Sequence, residues 1–235
     1  MKKHLIANLW LLLLTLVICC VLYPAILWSI GQTVFSNTAN GSLIEVNGKL
    51  IGSRLIAQPF TRDVFFWPRP SSASYNAAAS GASNWGASNP QLRERVARAI
   101  VPLAKYKNGP KKGQLISPDV EAWFAEKQLK APENKFDLWL QAHPQIELEE
   151  IPADMVMSSG SGLDPHITLQ NALYQLDRVA TKQAEMTKRD PVQLRKEIEA
   201  LLHEKAAAPL GGLAGVELVN VLEVNLALNK RYGPK

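Results

Sequence analysis

An unbroken apolar run at the N-terminus restricts this chain more than any other feature. From His4 to Ile44, "HLIANLWLLLLTLVICCVLYPAILWSIGQTVFSNTANGSLI" contains no Asp, Glu, Lys or Arg. Leu5 to Val34 is about thirty residues, or ~45 Å as a helix, whereas a bilayer core needs about twenty residues. Such a run predicts one membrane-spanning helix that tilts or continues as an interfacial turn. Pro24 is expected to kink it, a disruption that neighbouring helices tolerate. Trp10, Tyr23 and Trp28 are placed for interfacial or partner contacts. A cleaved signal peptide would have an apolar region of about 7–15 residues ending in a small-x-small site. This run is much longer, and no A-x-A pattern follows it. A lipoprotein anchor at Cys19 fits poorly, because bulky Ile18 stands where a small residue is needed. Lys2 and Lys3 flank the run on one side, and Ser36 to Ile44 has no Lys or Arg. The positive-inside rule then places the N-terminus in the cytoplasm and residues 36–235 outside.

No second run reaches the length of a span. The expected organisation is a transmembrane anchor over 1–35 and one soluble extracytoplasmic domain over 36–235. The hydrophobic content of 47% excludes global disorder. A net charge of +5 is mild, and the basic residues are scattered, so no nucleic-acid partner is expected. The densest basic run (Lys105, Lys107, Lys111, Lys112) lies among Gly and Pro and reads as a solvated loop. Cys19 and Cys20 are the only cysteines. Adjacent cysteines are too close for relaxed disulfide geometry, so no disulfide framework is expected.

The fold class reads as α+β: a small sheet and several helices after the anchor. "SLIEVNGKLIGSRLI" places two β-favouring runs around Asn47-Gly48, a strong hairpin signal. Asn89 caps a helix with Pro90 in its first turn, and Leu92, Val96, Ile100 and Leu103 form its apolar stripe. Ser117-Pro118 and Asp190-Pro191 repeat the cap-then-proline device. The helix after Asp190 turns Leu194, Ile198 and Leu201 inward, and Thr168 caps another. The tail reads as a strand, Val216 to Leu222, running into a helix that ends near Arg231. Lys105 to Pro152 is charge-rich and proline-punctuated, yet carries Trp123, Phe124, Phe136, Leu138 and Trp139; two short amphipathic helices are expected there. "RPSSASYNAAASGASNWGASNP", residues 69–90, has the composition of a linker. Its aromatic rings at Tyr75 and Trp85 and its helix cap at Asn89 predict an ordered surface instead.

Motifs that carry chemistry are scarce. Gly48-Lys49 is the only Gly-Lys pair, with Leu43 and Leu50 where a P-loop needs Gly and Ser or Thr. The four histidines show no H-x-x-x-H pairing and no cysteine companions, so no metal site is expected. "SSGSGLDPHIT" brings Ser159, Ser161, Asp164 and His166 close in sequence, but G-x-S-x-G is not matched. A Gly-rich turn that introduces the next helix is the better reading. The same turn, Ser159, Gly160, Ser161 and Gly162, has backbone N–H groups suited to an anion. Arg178 lies about three helical turns later; its guanidinium suits a carboxylate or phosphate, and a structural ion pair is the plainer role.

Several runs, taken together, resemble the C-subunit family of the Kdp-type potassium-transporting ATPase. They are the single N-terminal span followed by "NGSLI", then "GSRLIAQPF", "FFWPRPSSASYNAAASGASNWGASNPQL", "SGSGLDPHIT", "QLDRVA" and "VNVLEVNLALN". They occur in family order and cover most of the chain outside Lys105–Pro152, which looks like an insertion relative to shorter members. Ala57, Ala82 and Trp85 depart from the family pattern. The resemblance implies a complex in the bacterial or archaeal cell membrane, with a channel-like potassium-binding subunit, a P-type ATPase subunit and a very small stabilising subunit. Its C subunit has no catalytic residue and holds the complex together; potassium is handled by the partners. The D-K-T-G-T motif of the pump is absent here. The alternative role is a catalytic chaperone that raises the pump's ATP affinity through nucleotide contact, with ATP as its ligand. That role conflicts with a domain outside the cell, since ATP is cytoplasmic; a polar, uncharged cover over the external potassium entrance fits the topology better. The expected interface residues are Gln58, Phe60, Arg69, Pro70, Tyr75, Asn76, Ser80, Gly81, Asn84 and Asn89. Plainer roles exist for some: Pro70 stiffens, Phe60 joins a core, Gly81 permits positive φ and Asn89 caps.

Overall fold

The computed structural model describes residues 2–127, 135–213 and 215–233. The chain forms two compact units, Met1–Leu55 and Ile56–Lys235. In the first, α1 (Lys2–Leu16), a π-helical stretch (Val17–Leu22) and α2 (Tyr23–Val34) make one continuous helix. Among the described residues it is the one helix long and apolar enough to cross a membrane. The disruption expected at Pro24 takes the form of this π stretch. Pro24 has no N–H, and its ring would press on the carbonyl four residues back. The preceding turn widens, and the Tyr23 N–H bonds to Ile18 O, five residues away. After the short α3 (Ser36–Ala39), β1 (Leu43–Val46) and β2 (Lys49–Ser53) form the expected hairpin. Asn47 and Gly48 both take positive φ, 53° and 73°, as a two-residue primed turn requires. The hairpin belongs to this first unit, so the contact boundary lies beyond it, whereas hydropathy alone ends the anchor at residue 35.

The second unit contains two hydrophobic cores. One is built on α8 (Leu169–Thr187), α9 (Pro191–Lys205) and α10 (Val221–Tyr232), with β3 (His166–Thr168) paired antiparallel to β4 (Leu218–Asn220). Each strand runs straight into a helix, and the last strand residue caps it: Thr168 Oγ1 accepts from Asn171 N, and Asn220 Oδ1 from Glu223 N. That cap starts α10 at Val221, which makes β4 shorter than the Val216–Leu222 strand expected. Asp190 caps α9 as expected, and Leu194, Ile198 and Leu201 are fully buried. Each such side chain contributes about 1.5–3 kcal/mol on burial.

The other core lies in the 97–151 region and joins α4 (Pro90–Ile100), α5 (Ser117–Glu126) and α6 (Lys135–Ala142), with α7 (Ala153–Val156) following. The two expected amphipathic helices are α5 and α6. Two details differ. On α4 the fully buried residues are Ala97, then Val101 and Ala104 beyond its end; Leu92, Val96, Ile100 and Leu103 are only half-buried. Small side chains let the helix approach its neighbours, which turns the buried face by about one residue. Ser117 does not cap α5: it lies inside the first turn, behind Ile116. Ile116 is fully buried, its N–H bonds to Ala104 O, and its carbonyl accepts from Val120 N, so burial sets the start of the helix. The basic run is only partly solvated. Lys105 donates to Tyr174 O at 3.1 Å and Lys111 pairs with Asp119, while Lys107 and Lys112 are exposed.

Against the first of these cores lies a segment with no regular structure, residues 63–67, whose backbone is held by side chains. Asn225 uses both ends of its amide on Phe66, with Oδ1 accepting from Phe66 N and Nδ2 donating to Phe66 O, each at 2.9 Å. Gln175 treats Trp67 the same way, at 2.8 and 3.1 Å. Gln183 donates to Val64 O, and Arg178 donates to Asp63 O and Phe65 O. Asn225→Ala would strand the Phe66 N–H and C=O in the core, so a loss of about 2–4 kcal/mol is expected. Urea unfolding of the detergent-solubilised chain, followed by circular dichroism, measures it. Exposed Val192→Ala should stay within about 0.5 kcal/mol of the parent.

Candidate functional site

Directly after the clamped segment, residues 69–89 follow an irregular path that is tied down at defined points. The Ser71 hydroxyl accepts from Ala73 N and Tyr75 N and donates to Gly162 O at 2.5 Å. The Tyr75 hydroxyl returns to Arg69 O at 2.8 Å. Asn76 forms an Asx turn, its Oδ1 accepting from Ala78 N. Gly81 N and Ser80 Oγ both donate to Ser161 O. Farther on, Arg95 lies over the Trp85 ring, and Asn89 Oδ1 accepts from Gln91 N to start α4. Ser74, Tyr75 and Asn84 hold positive φ of 50°, 57° and 52° without being glycine, a conformation that costs about 1–3 kcal/mol and persists only when the surroundings impose it.

The partner in this docking is the Gly/Ser turn at 158–163. Ser159 N donates to Pro70 O, Gly162 N to Ser159 O, and Leu163 O accepts from Ala57 N. Gly162 has φ +70°, and a Cβ there would come within 2.8 Å of Ala73 Cβ and Gly81 O. Only glycine lets the two segments approach this closely. The turn's N–H groups at Ser159 and Gly162 are therefore engaged with protein carbonyls. Arg178, the other residue of the nucleotide alternative, donates to Asp63 O, Phe65 O and Gln175 Oε1 and stacks 3.9 Å over the Trp67 ring. Burial pulls its pKa down to about 10, against the opposing charge of Asp63, so it stays cationic at neutral pH. Ser159 is buried and Ser161 Oγ accepts from Leu163 N. His166 Nδ1 faces Asp164 Oδ1 at 3.1 Å, and its backbone N–H donates to the same oxygen. The Ser–His hydrogen bond that a hydrolase needs is not among the bonds of the described residues.

The expected interface residues separate into groups. Phe60, Pro70 and Tyr75 line one uncharged cavity of about 340 Å³ together with Trp67; Phe60 also packs on the first core and edge-on to Phe65. Asn76, Ser80, Gly81 and Asn84 lie on the exposed outer surface. Gln58 is half-buried, next to the Ala57 that bonds to Leu163. Arg69 sits behind the surface, with Nη1 3.4 Å from Asp164 Oδ2 and Nη2 3.4 Å from Ser158 O. Asn89 acts as a helix cap. Sequence reasoning missed Ser71, Trp67, Gln175 and Asn225. For the two amides, the available signal was a polar residue on the inward face of an otherwise apolar helical stripe.

Comparison with known proteins places this arrangement. The family model described as the K+-transporting ATPase c chain, KdpC, matches residues 5–125 and 120–230. This chain belongs to the KdpC family. Relatives named potassium-transporting ATPase KdpC subunit include one from Parvibaculum lavamentivorans, 34% identical over 96% of this chain and 95% of its own length. Another, from Flavobacterium psychrophilum, is 36% identical over 97% and 98%. A third, from Bacillus cytotoxicus, is 34% identical over 92% and 89%. Runs that carry the KdpC resemblance meet in space: "FFWPRPSS" lies against "QLDRVA" and "VNVLEVNLALN" through the amide clamps, and against "SGSGLDPHIT" through Ser71 and Gly162.

Two measurements probe this site. Gly162→Ala should cost about 1–3 kcal/mol of local stability, read as at least about tenfold faster amide exchange at Gly81 while α9 remains protected. The Asp164 carboxyl is held below its ordinary range, first by the His166 hydrogen bond, with burial opposing and the charges of His166 and Arg69 adding to it. A carboxylate lowered on folding stabilises above its unfolded pKa and loses that contribution as pH falls through the folded value. Urea stability should therefore drop as pH falls below about 4, and Asp164→Asn should flatten that part of the profile.

Proposed function

We propose that this chain is a non-catalytic accessory subunit of an ATP-driven, high-affinity potassium import complex. In this reading it assembles and stabilises the channel-like and P-type ATPase subunits, alongside a small stabilising subunit, and covers the external potassium entrance. The observation that carries the reading is the surface over residues 76–88. It is almost entirely exposed, built of Ala, Ser, Gly and Asn around the half-buried Trp85, uncharged from Pro70 to Pro90, and yet pinned at Ser71, Tyr75, Gly81 and Asn89. Small side chains allow a partner backbone to come close. Neutral Asn and Ser groups near a cation path neither trap nor repel the ion as a fixed charge would.

Family membership supports the transport context, since the relatives are named as subunits of a potassium-transporting ATPase. The long apolar helix supports a single-pass membrane protein, and Lys2 and Lys3 favour a cytoplasmic N-terminus with the folded domain outside. The catalytic-chaperone alternative, with direct ATP contact, draws no support from Arg178, whose guanidinium is engaged within the domain, or from the Ser159 and Gly162 N–H groups, which bond to protein carbonyls.

Ala78→Trp combined with Ala87→Trp tests the docking surface. Both positions are exposed, so the melting curve of the isolated chain should be unchanged, while co-purification with the transport subunits and growth at micromolar potassium should both fall. Unimpaired assembly would sink the proposal. Protease added to right-side-out vesicles should digest the folded domain; full protection would place it in the cytoplasm and reopen the nucleotide reading.

A further inference from the structure

A second concave feature lies in the 97–151 region. It is an open cleft of about 670 Å³ between the 106–111 loop, α5, α6 and the 143–147 segment, well within the size range of small-molecule sites. Its apolar wall includes Tyr106, Trp123, Trp139 and Ile146. Its charged groups are one lysine, Lys111, against three carboxylates, Asp119, Glu126 and Glu147. Lys111 is committed to both oxygens of Asp119, at 2.9 and 2.7 Å, and Tyr106 donates its hydroxyl to the same carboxylate at 2.5 Å. Among the described residues the Glu147 carboxylate accepts from the neutral Asn108 amide, at 2.7 Å, and neither it nor Glu126 is in an ion pair. Two carboxylates outside any ion pair of the described residues thus face one aromatic cleft, on a chain whose net charge is +5.

The remaining polar side chains of the cleft are the Asn108 and Gln145 amides, each with a donor and an acceptor, and His143. His143 Nδ1 lies 2.8 Å from Trp139 O. A carbonyl only accepts, so Nδ1 carries the proton, and in the neutral ring Nε2 presents a lone pair. The ring is fixed by aromatic packing, 4.7 Å from Trp139 and 6.0 Å from Trp123. The aromatic faces already attract the chain's own cations: Lys111 Nζ sits 5.9 Å from the Tyr106 ring and Lys127 Nζ 5.6 Å from the Trp123 ring. Lys127 is exposed, on a flexible stem, and free to swing aside.

We propose that this cleft binds an organic cation, an aminium or guanidinium head on an apolar stem, with the head toward Glu126 and Glu147 and the stem against Trp123. The carboxylates and the His143 acceptor suit a ligand that carries donors, and the two carboxylates outside any ion pair call for positive charge. The rings add cation–π attraction and a stacking wall for methylene groups. A neutral sugar would satisfy the acceptors but leave both carboxylates without a counter-charge; an anion would be repelled. The same head group occurs in free polyamines and in Lys or Arg side chains of a partner protein. The inference does not rest on the transport reading.

Calorimetric titration of the full chain in detergent, at fixed ionic strength, tests it with spermidine, arginine amide and inorganic phosphate as probes. Saturable binding of a cation is expected, with none of phosphate. Binding of spermidine alone points to a free polyamine; comparable binding of arginine amide points to a basic side chain. The double variant Glu126→Gln, Glu147→Gln should weaken binding about tenfold. Lys127→Ala should tighten it about twofold to fivefold by freeing the Trp123 face, a gain that misfolding does not produce. The proposal is overturned if neither cation binds saturably, if phosphate binds, if the double variant binds as well as the parent, or if Lys127→Ala fails to tighten binding.

Discussion

The second unit, Ile56–Lys235, depends on a set of amide-to-backbone hydrogen bonds. Residues 63–67 form neither helix nor strand, yet Phe66 is fully buried, and a buried peptide without partners is costly. Asn225 and Gln175 supply those partners, each presenting a donor and an acceptor to one residue, as a neighbouring strand would. Gln175 is used to capacity: Oε1 accepts from Trp67 N and Arg178 Nη2, and Nε2 donates to Trp67 O and Asn171 Oδ1. The clamp seats the Phe66 ring in the core and fixes where the chain emerges at Arg69. Everything on the 69–89 surface inherits its position from that point.

Neutral amides suit this role better than charges would. Burying an ion pair takes several kcal/mol of desolvation per ion, which attraction recovers only in good geometry. An amide exchanges one set of hydrogen bonds for another and gains direction. Charge does enter at Arg178, where the guanidinium has three carbonyl-type acceptors and an aromatic face, with Asp63 3.8 Å away. Burial lowers its pKa, but not near neutrality. The clamp's amides do not titrate, and the Asp164 carboxyl, held below its ordinary range, brings acid sensitivity to the neighbouring turn.

What was legible in the sequence is what local chemistry decides. The Asn47-Gly48 turn, the caps at Asn89, Thr168 and Asp190, and the Leu194–Ile198–Leu201 stripe each depend on a few neighbouring residues, and each formed where expected. The resemblance of six short runs to one family was equally local, and it identified that family. Tertiary contacts decided the rest. Ile116 burial displaced the Ser117 cap, close packing turned α4 onto Ala97, and Pro24 was absorbed by a π turn. The clamps were invisible because a Gln on an inward helical face reads as a flaw in the stripe until its backbone partner, more than a hundred residues away, is known. At the candidate site, composition suggested a tether, and Tyr75, Trp85 and Asn89 correctly argued for order. Their anchor, Ser71 against Gly162, depends on a close approach that no spacing rule encodes.

The 69–89 surface also explains why so polar a stretch is built rigidly. A flexible segment of this composition would lose backbone entropy of about 1–2 kcal/mol for each residue ordered on binding, and its small side chains offer little burial in return. Here ordering is completed at folding, by Ser71, Tyr75 and Gly162, and the positive φ values at Ser74, Tyr75 and Asn84 are held by that same frame. In the proposed role, a partner would meet a preorganised surface and give up little more than its own freedom. Low side-chain volume and high order together suit the close backbone contact proposed for this surface, and a linker would have needed neither the rings nor the clamp.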